Sequence, residues 1–368
     1  MKTAGVITFH SAYNYGASLQ TWALQEALKK LGVKPCVINY HPEIIDRLYR
    51  PPVNNTIKKK LRYAFKKNYR NIVKSQWEKD RKYKAFFKNN FEMLGDFKDY
   101  ESLKAADLGL DIYITGSDQV WNSDHIGGFD PAYYLEFAPK GSIKLSYAAS
   151  VGREVIQAKY KESIKAALKD YTAISVREES AKPAVSELSD VPVEVVIDPT
   201  LLLTRKDYDE KLKKPVEKKD DYILVYMMEN NEELIAFANK LSYEIGLPII
   251  QRRAKKVFKN ELKSFYTDTP DEFISELENA RYVLTNSFHG TVFSIIYEKP
   301  FVSMLHTSTG SRTIDLLKAF GLEEHILYST ADFNGMAQFE IKDVQSIRKR
   351  HEELRNSSYD FLKKALKL

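Results

Sequence analysis

Residues 4–40, AGVITFHSAYNYGASLQTWALQEALKKLGVKPCVINY, decide the fold class. AGVITF (4–9) is short, apolar and β-rich, and HSAYNYGA (10–17) reads as a loop. SLQTWALQEALKKLG (18–32) turns Leu19, Trp22, Ala23 and Leu28 to one face and Gln25 away from it, and Gly32 stops the helix. VKPCVINY (33–40) is a second strand. A strand, a helix and a strand within forty residues form a right-handed βαβ unit, which belongs to a parallel sheet.

The alternation extends outward from this unit. DIYITG (111–116), KLSYAAS (144–150), TAISVR (172–177) and VEVVID (193–198) read as strands, with helices near 155–170 and 178–188. TRKDYDEKLKKPVEKKDD (204–221) has the composition of a linker. A second series follows, with strands at 222–228, 247–250, 281–286 and 300–305. Helices fall at 231–246, 271–280, 290–299 and 311–321, and a long one at 343–366. The expectation is an α/β protein of two Rossmann-like domains facing across a cleft: 1–203, 204–342, then a C-terminal helix over 343–368. Ligands of such sheets sit beyond the C-terminal strand ends, so the cleft is the expected site.

The 368 residues carry 56 Lys+Arg against 50 Asp+Glu, a net +6. The excess is local: residues 51–90 hold 13 of the cations and two acids, leaving the other 328 residues at −5. This basic insert interleaves Tyr63, Phe65, Tyr69, Trp77, Tyr83, Phe86 and Phe87 with its cations. At helical spacing that pattern is a packed aromatic face with charges opposite, so no nucleic-acid partner is expected. An amphipathic basic helix could also rest on an anionic membrane, with a solvated helical lid as the alternative. The lone Cys36 fits a reducing compartment. The N-terminus shows no signal-peptide core and no stretch is long and apolar enough to span a membrane. The expectation is a cytoplasmic protein, at most peripheral at the inner face of the cell membrane.

Five polar groups follow strands. His10, Asn14 and Gly16 precede a helix N-terminus, where backbone N–H groups can face an anion; a loop capped by Ser18 is the plainer reading. No GxGxxG is present, so a dinucleotide site is not expected. In GSDQVWN (116–122), Asp118 could take a proton from a hydroxyl and Trp121 could carry a sugar ring, although capping alone explains Ser117 and Asp118. Arg177 offers a fork for a carboxylate or phosphate, or else pairs with Glu178 or Glu179 on the surface. His289, beside Gly290 at a strand-to-helix junction, suits acid/base work. Ser308, Thr309, Ser311 and Arg312 surround another helix start and could bind phosphate.

In this order the segments resemble the polysaccharide pyruvyl transferase family. They are NYGASLQTWAL, ITGSDQVWN, KLSYAASVG, ISVREESA, VIDPTLLL, TNSFHGTVFSIIYEKPFV and SRTIDLL, and the likeness runs from about residue 4 to 322. The resemblance implies a glycosyltransferase-B-like fold with the acceptor on the N-terminal domain and the donor on the C-terminal one. It also implies transfer of pyruvate from phosphoenolpyruvate onto two hydroxyls of a sugar. The product is a cyclic ketal on a polysaccharide or a lipid-linked, for instance undecaprenyl-linked, oligosaccharide of a cell-surface glycan. It implies His289 as acid/base and Asp118 as acceptor-side base. Arg177, Ser287, Gly290, Ser311 and Arg312 would lie around phosphoenolpyruvate, and His10, Asn14, Gly16 and Trp121 around the acceptor. No metal and no further cofactor is expected. Some members carry an Arg two residues before the motif histidine; here that position is Ser287, and Arg312, Arg252 or Arg253 would take over. The alternative on this fold is a glycosyltransferase using a nucleotide-sugar donor. Asp207-Tyr208-Asp209 imitates its metal motif, but it sits in the charged linker and reads as a solvated face.

Overall fold

The computed structural model describes residues 1–49, 67–215, 221–251, 261–264 and 267–368. β1 (Thr3–Ile7), β2 (Lys34–Tyr40), β3 (Met93–Phe97), β4 (Ile112–Thr115) and β5 (Ile143–Ser146) form a parallel sheet in the order β3-β2-β1-β4-β5. Single bridges, Leu145 to Ala173 and Ala149 to Val176, extend it to the pair β6 (Ile174–Val176) and β7 (Val193–Val195). The second sheet contains β8 (Ile223–Tyr226), β9 (Ile249–Gln251), β10 (Glu261–Ser264), β11 (Tyr282–Thr285), β12 (Phe301–Met304) and β13 (Ile326–Leu327). Its order is β10-β9-β8-β11-β12-β13. The central strands IYIT and ILVY are buried at every position, as strands covered by helices on both faces must be.

Strand order reverses between β1 and β4 and again between β8 and β11, so each sheet opens a crevice at those strand ends. The two crevices face each other, which is the glycosyltransferase-B-like plan of two Rossmann-like domains. The helix Tyr15–Lys30 joins them through one apolar cluster. Tyr15, Leu19 and Trp22 pack with Tyr208, Phe273 and Phe293 of the other half. The C-terminal helix Val344–Leu366 returns across the molecule. Its Ile347 packs in that shared cluster, and Phe361, Leu362 and Leu366 enter the N-terminal core beside Ala4 and Leu28. Lys2 Nζ donates to Leu366 O at 2.8 Å, tying the two ends of the chain together.

The segment after Leu203 is more ordered than its linker-like composition implies. Thr204 caps a helix, Arg205–Lys211, in a reciprocal capping box with Asp207. Asp207 also pairs with Lys30 at 2.6 Å, and Asp209 pairs with Lys213 at 2.7 Å and accepts from Tyr297 OH at 3.0 Å. These partners give the imitation metal motif a structural role.

The basic insert also differs from a solvated lid. Lys67–Asn90 is one helix, and Tyr83, Phe86 and Phe87 are buried in the cluster that joins the domains. Tyr83 stacks on Tyr13 at 4.8 Å, and Tyr13 OH donates to Asp80 at 2.6 Å. Lys82 reaches Glu272 of the C-terminal domain at 3.0 Å. Tyr63 and Phe65 lie outside the described residues, as do Arg252 and Arg253.

Candidate active site

A cavity of about 280 Å³ lies between the two crevices. From the N-terminal domain it receives Asn14, Asp118, Gln119, Asn122, His125 and Arg153. From the C-terminal domain come Met228, Asn286, Ser287, Phe288, His289, His306 and Arg312, with Ser308 and Thr309. They lie in the loops and helix starts that follow the C-terminal ends of the strands.

Local structure fixes the principal side chains. Asn14 is the N-cap of the helix Tyr15–Lys30, and its Oδ1 accepts from the Gly16 and Ala17 N–H groups at 2.9 and 3.3 Å. Ser287 caps the helix Phe288–Ile296 by accepting from Gly290 N at 3.3 Å. Asp118 has φ 72°, a left-handed conformation that Asp tolerates better than most residues. Its Oδ1 accepts from Gln119 N at 2.8 Å, and its carbonyl accepts from Ser150 N at 3.0 Å. Arg312 donates to Thr309 Oγ1 at 2.9 Å, and its guanidinium lies 5.7 Å from the Phe288 ring centre.

His289 stands in the domain junction. A Cβ added to Gly16 would lie 2.0 Å from His289 Nδ1, so the helix start of one domain touches the imidazole of the other. On the other side, His289 Nε2 is 3.5 Å from Asp198 Oδ2. Asp198 is fully buried and accepts from Arg177 Nη1 at 2.9 Å, Ser117 Oγ at 3.1 Å and Thr200 Oγ1 at 2.7 Å. Burial opposes its ionisation, but the nearby His289 ring, the Arg177 guanidinium and the Thr200 hydroxyl win and hold the carboxyl far below the usual range. Arg177 is itself buried. Despite burial, Glu178, Asp198 and Asp118 keep it firmly charged, with Nε donating to Glu178 Oε1 at 2.8 Å.

Two further histidines line the cavity. Burial pushes His125 below its ordinary value; Asp118 opposes that shift and Arg312 reinforces it. His306 is lowered by burial, with the Glu229 carboxylate opposing at 3.6 Å and Arg312 again reinforcing. Among the described residues no group of three or more His, Cys, Asp or Glu is placed to hold a metal ion.

Several residues singled out in the sequence lie elsewhere. Trp121 is buried in the N-terminal core, its indole N–H donating to Tyr133 O at 3.0 Å and its ring stacked on Tyr134. It has no face toward the cavity. His10 is fully buried, with Nε2 3.0 Å from Asn39 Oδ1. Arg177 sits behind Asp198 and does not line the cavity; it pairs with Glu178, but inside the protein instead of on its surface. Ser311 faces a neighbouring groove with Tyr328 and Ile314. Gly290 permits close packing instead of ligand contact, since a Cβ there would lie 2.3 Å from Thr285 Oγ1. Conversely, His306 lies two residues after β12, and the strand-end rule could have found it. Asp198 left less signal, because an Asp before Pro199 reads as a simple cap.

Solved structures with a similar arrangement share little sequence. A putative UDP-N-acetylglucosamine 2-epimerase from Listeria monocytogenes is 10% identical, covering 96% of this chain and 90% of its own, at TM-score 0.49. A UDP-GlcNAc 2-epimerase from Methanocaldococcus jannaschii is 14% identical, with 100% and 99% covered, at TM-score 0.47. The glycosyltransferase SsfS6 from Streptomyces sp. SF2575 is 14% identical, with 98% and 96% covered, at TM-score 0.44. No curated protein matches significantly. The family model for polysaccharide pyruvyl transferase matches residues 14–308, a span that runs from the Asn14 cap through His289 to Ser308. With most of its length and nearly all of its cavity inside that match, the chain belongs to the polysaccharide pyruvyl transferase family.

Proposed function

We propose that the chain transfers pyruvate from phosphoenolpyruvate to two hydroxyls of one sugar, forming a cyclic ketal and releasing phosphate, without a metal or other cofactor. The observation that carries this reading is the composition of the cavity. One imidazole, His289, is held between the domains, with Arg312, His125 and His306 on the same walls and a carboxylate, Asp118, opposite in kind. Phosphoenolpyruvate brings a carboxylate and a phosphate, for which Arg312 and Arg153 supply cations and the imidazoles and amides supply N–H donors.

His289 delivers a proton to the methylene carbon, and the double-bond pair forms the new C–H bond. The cationic C2 is stabilised by its oxygen and attacked by one sugar hydroxyl, whose proton passes to Asp118. Phosphate then leaves with the C–O pair, and the second hydroxyl closes the ketal as its proton passes to the now neutral His289, which restores the acid. Arg312 is the donor cation closest to the role of the Arg that Ser287 replaces. Asn14, at the N-terminal domain's helix start, faces the acceptor. We further propose a lipid-linked glycan as acceptor, with contact between the basic insert and an anionic membrane inner surface. Among the described residues no helix is long and apolar enough to cross a membrane.

The test is incubation of chelator-treated protein with phosphoenolpyruvate and galactoside or mannoside acceptors. The expected result is phosphate release with a ketal product, and in His289→Ala a rate about 10²-fold or more lower. Turnover of a nucleotide sugar with no phosphate release from phosphoenolpyruvate would refute the reading.

A further inference from the structure

We infer that Asp198 is the positioning residue for His289, so that the acid/base group is assembled from both domains. The kinetic part of this inference rests on the proposed reaction, whereas the pairing itself does not. Asp198 lies three residues beyond β7 in the N-terminal domain and caps the turn Pro199–Leu202, and His289 lies in the first turn of the helix Phe288–Ile296 in the C-terminal one. The carboxylate cannot swing. Oδ2 receives Arg177 Nη1 and Ser117 Oγ, while Oδ1 receives Thr200 N at 3.0 Å and Thr200 Oγ1 at 2.7 Å.

His289 Nε2 is buried and has no hydrogen-bond partner among the described residues, and Asp198 Oδ2 lies 3.5 Å away. A proton on Nε2 therefore has Asp198 as its acceptor. Nδ1 lies against Gly16, where only a hydrogen fits. The ring is gripped between two N-terminal-domain residues, and its orientation depends on how the domains meet.

The charges agree with this arrangement. Behind the ring, Glu178, Arg177 and Asp198 form a buried chain of ion pairs with one negative charge in excess. A proton on His289 brings that cluster to neutrality, and buried charge is tolerated only when balanced. Asp118, Asp124, His125, Arg153, His306 and Arg312 are the charged and titratable groups that line the same cavity as His289. With Nε2–H directed at Asp198, Nδ1 exchanges the mobile proton. In the first step the Nδ1–H bond breaks and its electron pair stays on the ring, while the methylene carbon gains the proton. Asp198 remains ionised throughout and transfers nothing. Arg177 and Ser117 hold Asp198, so they too act through another residue and not on the donor.

The experiment is ring-nitrogen NMR of the full chain labelled with ¹⁵N-histidine, followed over roughly pH 5 to 9, with His289→Gln to assign the signals. The neutral ring should carry its proton on Nε2. In Asp198→Asn that preference should weaken, with the proton shared between Nε2 and Nδ1. With phosphoenolpyruvate and sugar, the same variant should lower kcat about 10²-fold and leave KM for phosphoenolpyruvate within about threefold. A neutral wild-type ring protonated on Nδ1 overturns the inference, and this measurement needs no variant to fold. Unchanged ring signals in a folded Asp198→Asn protein overturn it equally. If the NMR results hold while no acceptor turns over, the pairing stands and the proposed reaction fails.

Discussion

Only a hydrogen fits where Gly16 meets His289, and the reason is the imidazole, not the backbone. Gly16 lies outside the left-handed region, so alanine is permitted by its own conformation. Gly16→Ala should therefore displace the ring and lower kcat about tenfold or more. In a His289→Ala background the same change should be neutral or stabilise the helix by about 0.5–1 kcal/mol. Thermal unfolding of the four proteins of this cycle checks it, and equal destabilisation in both backgrounds would show that another contact sets the limit. Position after a strand was enough to find Asn14, Asp118, Ser287, His289 and Arg312, all of which line the cavity. The same rule misdirected His10 and Trp121, because following a strand does not determine which way a loop turns. Both side chains fold back into the N-terminal domain, His10 onto Asn39 and Trp121 onto Tyr134. Arg177 beside Glu178 looks like a surface pair in sequence, and only the fold shows that both are buried against Asp198.

At the scale of elements, apolar periodicity identifies the long helices and the central strands, which are buried on both sides, but not the short helices Glu43–Tyr49, Tyr100–Lys104 and Arg205–Lys211. The edges were harder. β3 is mostly exposed and β13 has two residues, so neither leaves a run of apolar residues to read. The insert helix shows how much a helix face can conceal. Tyr83, Phe86 and Phe87 face the core, while Lys74, Trp77, Arg81, Lys84 and Lys88 recur every three or four residues on the exposed side. Trp77 is 64% exposed. Deleting residues 51–90 would thus remove part of the core, and the proposed membrane contact needs a gentler probe. Lys74→Glu, Arg81→Glu and Lys88→Glu together should leave the melting temperature and the turnover of a soluble acceptor nearly unchanged. At about 1 kcal/mol for each cation near an anionic surface, they should weaken binding to phosphatidylglycerol vesicles on the order of a hundredfold. Sedimentation with those vesicles measures it, and a wild-type protein that binds them no better than neutral vesicles would end the idea.

The whole molecule joins its domains too firmly for a hinge that swings on ligand binding. Tyr15 stacks on Phe273 at 4.7 Å, Trp22 lies 5.4 Å from Tyr208, and Tyr208 meets Phe293 at 5.2 Å. Across the same junction Lys82 holds Glu272, and the C-terminal helix is anchored in the shared cluster and the N-terminal core. Aromatic side chains bury about 150–250 Å² each, so wetting four of them at about 25 cal/mol per Å² costs more than about 10 kcal/mol. A small ligand shifts an equilibrium only by its differential affinity, and about 5.5 kcal/mol is already needed to reverse a 1:99 population. The closed arrangement is therefore the resting one, with His289 already seated between Gly16 and Asp198 before any donor arrives. Small-angle X-ray scattering should give the same radius of gyration with and without saturating phosphoenolpyruvate, within about 1 Å, as for pre-organised partners. Widening the junction by substituting Phe273→Ala should slow turnover even though Phe273 is absent from the cavity wall, because the two halves of the acid/base group would no longer meet. A compaction of several ångströms on adding the donor would instead mean that the domains close in solution, and that Asp198 and His289 are brought together only by that closure.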